Sequence, residues 1–236
     1  MKRFCLLTTG RAASTGLIKA LGAYPDIAVP SRNIESGDEE LLSISPEKLE
    51  HNASIYAELT GRPIVTAEDL IEAFYSHNAA SAYAGFKSMP NRHSDFDGFV
   101  RRSDIRFIVL TRDDVASTVA SFFVAVRTGS WRRDGGLQHA LWTFGRDHAA
   151  QVVGHLKYVL EERQRLLRLT QAIQISYEAL CSENFSSPEL DEYFARPIRL
   201  SLPRTPVHAQ SYVTNWDVYV RFINEQRAKL EPAGRV

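Results

Sequence analysis

Apolar residues in the first thirty positions follow two different rhythms. Phe4 to Thr8 is a short apolar run without alternation, the pattern of a strand covered on both faces of a parallel sheet. After a turn at Gly10 to Ser14, Leu17, Ile18 and Leu21 recur at helical spacing as far as Gly22, and Pro25 closes the segment. A strand, a turn and a helix are therefore predicted in succession, with a second short strand over Ile27 to Val29.

The opening logic returns at Ile105 to Thr111, an apolar run followed by Arg112, two aspartates and a helix from Val115 onward. Ile173 to Tyr177 reads as a further strand, followed by Glu178. Between these runs a short helix is expected around Pro46 to Thr60. Thr66 and Asp69 form a capping box before a helix whose apolar face is Leu70, Ile71, Phe74 and Tyr75. That helix leads to Gly85 to Met89, the expected end of a strand.

Pro90 to Ser103 carries Asn91, Arg92, His93, Asp95, Asp97 and Gly98 and reads as an exposed loop. Leu137 to Leu169 is helical in pattern for most of its length, with Gly145 and Gly154 as points of division. Ser187 and Pro188 suit the cap and first turn of a short helix through Phe194, and an amphipathic helix closes the chain from about Asp217 to Leu230. Strands separated by helices predict an α/β fold, a three-layer sandwich with a mostly parallel central sheet. One domain over residues 1–236 is expected, because a chain of this length can bury one sizeable core.

Charge and cysteine usage narrow the function classes. Lys plus Arg and Asp plus Glu number 28 each, so the chain lacks the cationic footprint of a general nucleic-acid binder. Cys5 and Cys181 are its only cysteines, which leaves no disulfide framework and no metal-ligand spacing. No run reaches 18 apolar residues, so no membrane span is expected, and a cytoplasmic location fits.

Chemistry gathers first at Thr9 to Thr15. Small side chains at Gly10, Ala12 and Ala13 let the backbone curl around an anion, while amides at the helix start point toward it. Arg11 adds a fork of donors, and Ser14 and Thr15 add hydroxyls. This is neither a Walker A loop nor the dinucleotide fingerprint, since the required glycines and the lysine are absent. Without a ligand it would be an ordinary small-residue turn before a helix.

The second gathering is Arg112 at a strand end, with Ser117 and Ser121 one helical turn apart on one face. Arg112 can grip a phosphate in two-pronged fashion, or it can simply neutralise Asp113 and Asp114, one of which caps the helix. Open parallel sheets place strand C-termini beside one crevice. A nucleotide with phosphates at two positions suits two such anchors.

With those residues in view, the chain resembles a known family. FCLLTTGRAASTGLIKALGAYPDI resembles the 5′-phosphosulfate-binding strand, loop and helix of sulfotransferases, and IRFIVLTRDDVASTVASFF resembles their 3′-phosphate-binding strand and helix. ISYEAL is similar to their Tyr-Glu segment after a strand. The likeness is nearest to bacterial carbohydrate sulfotransferases of the trehalose type, whose Thr-Gly-x-Trp-like turn has its counterpart in Thr128 to Trp131. It covers residues 3–28, 85–90, 104–131 and 172–180. Ala12 and Ala13 depart from the glycine or serine of many members, and no glycine-rich basic loop follows Arg204.

The resemblance implies a P-loop-like nucleotide-binding core and transfer of the sulfuryl group of 3′-phosphoadenosine 5′-phosphosulfate to a hydroxyl of a small acceptor, carbohydrates included. Arg11, Ser14 and Thr15, with Ala12 and Ala13 in the same loop, would hold the 5′-phosphosulfate. Arg112 with Ser121 would hold the 3′-phosphate, Ser117 being the competing serine, and Tyr177 would approach the adenine. Glu35 lies where the trehalose-type enzymes place a catalytic glutamate.

Lys87, at a strand end, is a candidate for steadying charge on the bridging oxygen, or else a surface lysine or a partner for a glutamate. His93 and then His51 are the other candidate proton acceptors, His93 because an imidazole titrates near neutrality. Phe122, Phe123, Trp131, Trp142 and Phe144 line an acceptor cleft or fill the core, with Trp131 beside Arg132 and Arg133 the best exposed candidate. Gly129, Gly135 and Gly136 suggest a mobile lid. A kinase or nucleotide hydrolase, and a nucleotide-binding module without turnover, are the competing classes.

Overall fold

The run Lys2–Thr8 forms the first strand, β1, and the computed structural model describes residues 1–30, 41–42, 46–128, 141–183, 185–200 and 209–231. Helix α1 (Ser14–Gly22), strand β2 (Ile27–Ala28), α2 (Pro46–Thr60), α3 (Ala67–His77) and β3 (Tyr83–Ser88) follow. Then come α4 (Phe96–Phe99), β4 (Ile105–Thr111), α5 (Val115–Thr128) and α6 (Ala149–Leu167). Strand β5 (Ile173–Ser176) and helices α7 (Tyr177–Leu180), α8 (Pro188–Tyr193) and α9 (Trp216–Leu230) complete the order. The chain divides into two compact units, Met1–Thr111 with Leu166–Leu202, and Arg112–Arg165 with Pro203–Val236.

The first unit is an α/β fold built on a five-stranded sheet in the order β2-β3-β1-β4-β5, with every pairing parallel. Alternate residues of β1 serve opposite faces. Cys5 and Leu7 join Leu70, Phe74 and Tyr75 of α3 in one apolar cluster, whereas Phe4 and Leu6 join Leu17, Ile18 and Leu21 of α1 in the other. Helices thus flank both faces, which explains why the strand's sequence is apolar without alternation. Phe4 pairs with Gly85 across the sheet, and a Cβ at Gly85 would stand 2.4 Å from the Phe4 ring. The missing side chain makes room for that ring.

Local signals fix the helix starts. Thr66 accepts from the Asp69 amide at 3.1 Å while the Asp69 carboxylate accepts from the Thr66 amide at 2.8 Å, the expected capping box. Ser187 accepts from the Leu190 amide, with Pro188 in the first turn of α8.

Two expectations need correction. Pro90 to Ser103 is not an exposed loop: a 3-10 turn over Pro90–Arg92 leads to α4, whose Phe96 and Phe99 are buried in the cluster beneath α3. Asp95 starts that helix by accepting from the Gly98 amide at 2.8 Å. Two phenylalanines three apart among polar residues give too short a period to read. The helical reading of Leu137 to Leu169 also fails at its start. Trp142 makes a parallel bridge with Val213, Gly145 precedes a 3-10 turn, and α6 begins only at Ala149. Positions 137–140 lie outside the described residues.

The second unit packs α5, α6 and α9 around Val119, Trp142, Val152, Leu156, Tyr219 and Ile223. Tyr219 donates to the Ala116 carbonyl at 3.0 Å, and the Asn215 side chain holds both the amide and the carbonyl of Phe144 at 2.9 Å. Among the described residues no helix is long and apolar enough to cross a membrane.

Candidate functional site

Where β1 ends, the backbone turns through three left-handed positions within four residues: Gly10 at φ 80°, Arg11 at φ 54° and Ala13 at φ 60°. A side chain in this region costs roughly 1–2 kcal/mol, so Arg11 and Ala13 are held there by their surroundings. The Gly10 amide donates to Thr8 Oγ1 at 3.3 Å, and the Ala12 methyl is fully buried in the cluster beneath α1. A small apolar residue is therefore a packing requirement at Ala12.

Helix α1 starts directly from this turn. Ala13 occupies its N-cap, where a methyl offers no oxygen to the first-turn amides, and no acidic residue follows in the first turn. The helix start keeps its partial positive charge facing the turn. Ser14 is buried.

Lys87 comes to the same place from the adjacent strand. It lies near the C-terminal end of β3, opposite Leu6 of β1, with 6% of its surface exposed. Its Nζ donates to Thr15 Oγ1 at 3.1 Å. The structure thus joins Lys87 to the first turn of α1, and excludes the reading of Lys87 as a surface lysine. An ammonium, a helix start and a backbone turn with two strained positions converge in one unit, a combination suited to an anion.

Ser88 points to the other face of β3. Its hydroxyl lies 2.9 Å from His93 Nε2, and the imidazole stacks on Phe99 with centroids 3.9 Å apart. Burial lowers the His93 pKa to about 4, so the ring is neutral near pH 7. This serine and histidine pair, five residues apart, was not read from the sequence as a pair, because nothing in their spacing announces it. His51 is exposed on α2, and Glu35 lies outside the described residues.

In the second unit, Arg112 Nη2 lies 4.0 Å from the Asp114 carboxylate. Asp114 is the aspartate that caps α5: its Oδ1 accepts from the Ser117 amide at 2.9 Å and its carbonyl from the Thr118 hydroxyl at 2.9 Å. Asp113 pairs instead with Arg163 at 2.6 Å. Ser117 is 5% exposed and Ser121 is half-buried, so Ser121 is the more accessible hydroxyl of the two.

Tyr177, in the first unit, opens α7 half-buried against the cluster beneath α1. Trp142 and Phe144 belong to the core of the second unit, and Phe123 packs against them, which favours packing over a cleft for these rings. Phe122 stacks on His155 at 3.7 Å. Trp131, its neighbouring arginines, and the glycines of the expected lid lie outside the described residues, as does Arg204.

Cys5 is buried and Cys181 half-buried, both as free thiols. Among the described residues, no group of three or more His, Cys, Asp or Glu side chains could hold a metal ion. No family model matches the chain, and no curated protein matches it at a significant level.

Proposed function

We propose that the chain is a sulfotransferase, moving the sulfuryl group of 3′-phosphoadenosine 5′-phosphosulfate to a hydroxyl of a small acceptor, carbohydrates included. The observation that carries this reading is the Lys87 to Thr15 hydrogen bond beside the left-handed turn at Gly10 to Ala13. In the proposal the turn and the start of α1 act as a P-loop-like cradle within a three-layer sandwich.

The acceptor oxygen attacks sulfur, the bond from sulfur to the bridging phosphate oxygen breaks, and that oxygen leaves with the electron pair. Lys87, Arg11 and the first-turn amides of α1 would steady the resulting negative charge. Ser14 and Thr15 would hold the phosphosulfate oxygens. Glu35 would take the acceptor's proton, the role the resemblance to trehalose-type sulfotransferases implies. His93 is the weaker candidate because burial lowers its basicity. Arg112, with Ser121 in preference to Ser117, would read the 3′-phosphate, and Tyr177 would meet the adenine.

Binding and turnover test this directly. Adenosine 3′,5′-bisphosphate should bind much more tightly than adenosine 5′-monophosphate, and sulfate should move from the donor to a sugar, alcohol, phenol or amine. Equal affinity for the two nucleotides would sink the two-anchor reading. Magnesium-dependent γ-phosphoryl transfer from ATP would make the same cradle a phosphoryl-transfer site. Tight bisphosphate binding with no transfer to any acceptor class would make the chain a binding module.

A further inference from the structure

The first unit carries a second concentration of positive charge at the other end of its sheet. Where β1 and β4 begin, and in the turn before β5, an open cavity of about 810 Å³ is lined, among the described residues, by six cations and a single carboxylate, Asp104. Ile105 and Phe107 contribute an apolar wall.

The cations fall into two sets. Arg3 and Arg102 are committed to carboxylates: Arg3 to Glu72 at 3.1 Å and Asp104 at 2.7 Å, Arg102 to Glu68, to Glu72 and to Asp104 at 2.6 Å. Arg102 and Arg3 in turn hold the Asp104 carboxyl below its usual range. Lys2 lies over the Tyr193 ring. Arg101, Arg106 and Arg168 form no ion pair and no side-chain hydrogen bond with any described residue, and all three are exposed around the cavity.

Arg101, Arg106 and Arg168 place three like charges around one concavity, and a bound anion would offset their mutual repulsion. Each can then donate two parallel hydrogen bonds to a phosphate, a geometry a lone ammonium cannot match. The volume falls within the range of small-molecule sites. The balanced charge of the whole chain, 28 against 28, lacks the broad basic surface of a polynucleotide binder. We propose that this cavity binds a small polyanion of the polyphosphate class, through Arg101, Arg106 and Arg168, independently of the Lys87 to Thr15 site.

Calorimetric titration of the full chain with inorganic tripolyphosphate tests it. The probe can also enter the candidate phosphate cradle, so the titration is run in a Lys87→Met/Arg11→Ala background, where tripolyphosphate should still bind. Adding Arg101→Ser, Arg106→Ser and Arg168→Ser should weaken that binding by about 100-fold, or about 2.7 kcal/mol. Unchanged affinity in this variant, or no binding in the Lys87→Met/Arg11→Ala background, would overturn the proposal. Should the combined variant fail to fold, Arg101→Ser and Arg168→Ser tested singly should each weaken binding by about fivefold; no effect from either would overturn it equally. A single-stranded DNA oligonucleotide that outcompetes tripolyphosphate at the same salt, and is lost with the three arginines, would replace the small anion with nucleic acid.

Discussion

Lys87 Nζ donates to Thr15 Oγ1 across 3.1 Å, so a strand residue and a helix residue 72 positions apart in sequence meet beside the turn that ends β1. The ammonium stands beside the start of α1 and the left-handed turn, where a helix start and backbone amides also favour negative charge. Charge placed there suits an anionic ligand.

That placement sets the first expectation. Lys87→Met keeps the stem's packing and removes the charge. Transfer should fall by about 10²- to 10³-fold, the scale for losing one donor to developing negative charge. The melting temperature should change little. Steady-state kinetics with a thermal melt checks both, and a variant that melts much earlier while keeping its activity would make Lys87 purely structural.

Arg112→Ala should reduce the preference for adenosine 3′,5′-bisphosphate over adenosine 5′-monophosphate by about 1.5 to 3 kcal/mol, the scale of charge-assisted hydrogen bonds. The Asp114 cap of α5 does not depend on the guanidinium, so thermal stability should change little. Titrating both nucleotides decides it. An intact preference would reject Arg112 as the reader of the 3′-phosphate.

Ala13→Gly should stabilise the protein by about 1 kcal/mol, since glycine adopts φ near 60° without the Cβ penalty and is the better N-cap. Chemical denaturation measures this. If the strained turn also preorganises the anion cradle, nucleotide affinity should drop in the same variant.

His93 and His155 should make stability fall with acid. Burial lowers both folded-state pKa values to about 4, below the usual 6.5, so the unfolded chain binds the extra proton first. Stability is full above about pH 6.5 and declines as pH approaches 4, with each ring contributing at most about 3 kcal/mol. His93→Phe should flatten part of that slope between pH 7 and 5 in urea titrations. An unaltered slope would show that the His93 ring already titrates normally in the fold.

Much of the architecture was legible locally. The non-alternating runs at Phe4 to Thr8 and Ile105 to Thr111 marked strands buried on both faces, and the box at Thr66 and Asp69 marked a helix start, because those signals depend on near neighbours in the chain. The turn from Gly10 to Ser14 was legible for the same reason: its small residues and the following helical period are contiguous. Phe96 and Phe99 were missed because their burial is decided by what lies above them, the cluster with Phe86 and Phe107, and not by their polar neighbours in sequence.

At the candidate site the division is sharper. Covalent order is enough to deliver Arg11, Ser14 and Thr15 together around the β1 turn. Long-range packing brings Lys87 to them, turns His93 to Ser88, and holds Arg11 and Ala13 in left-handed backbone. Parallel pairing of β1 with β3 brings Lys87 beside α1, and strand register is a property of the assembled sheet that no single segment encodes.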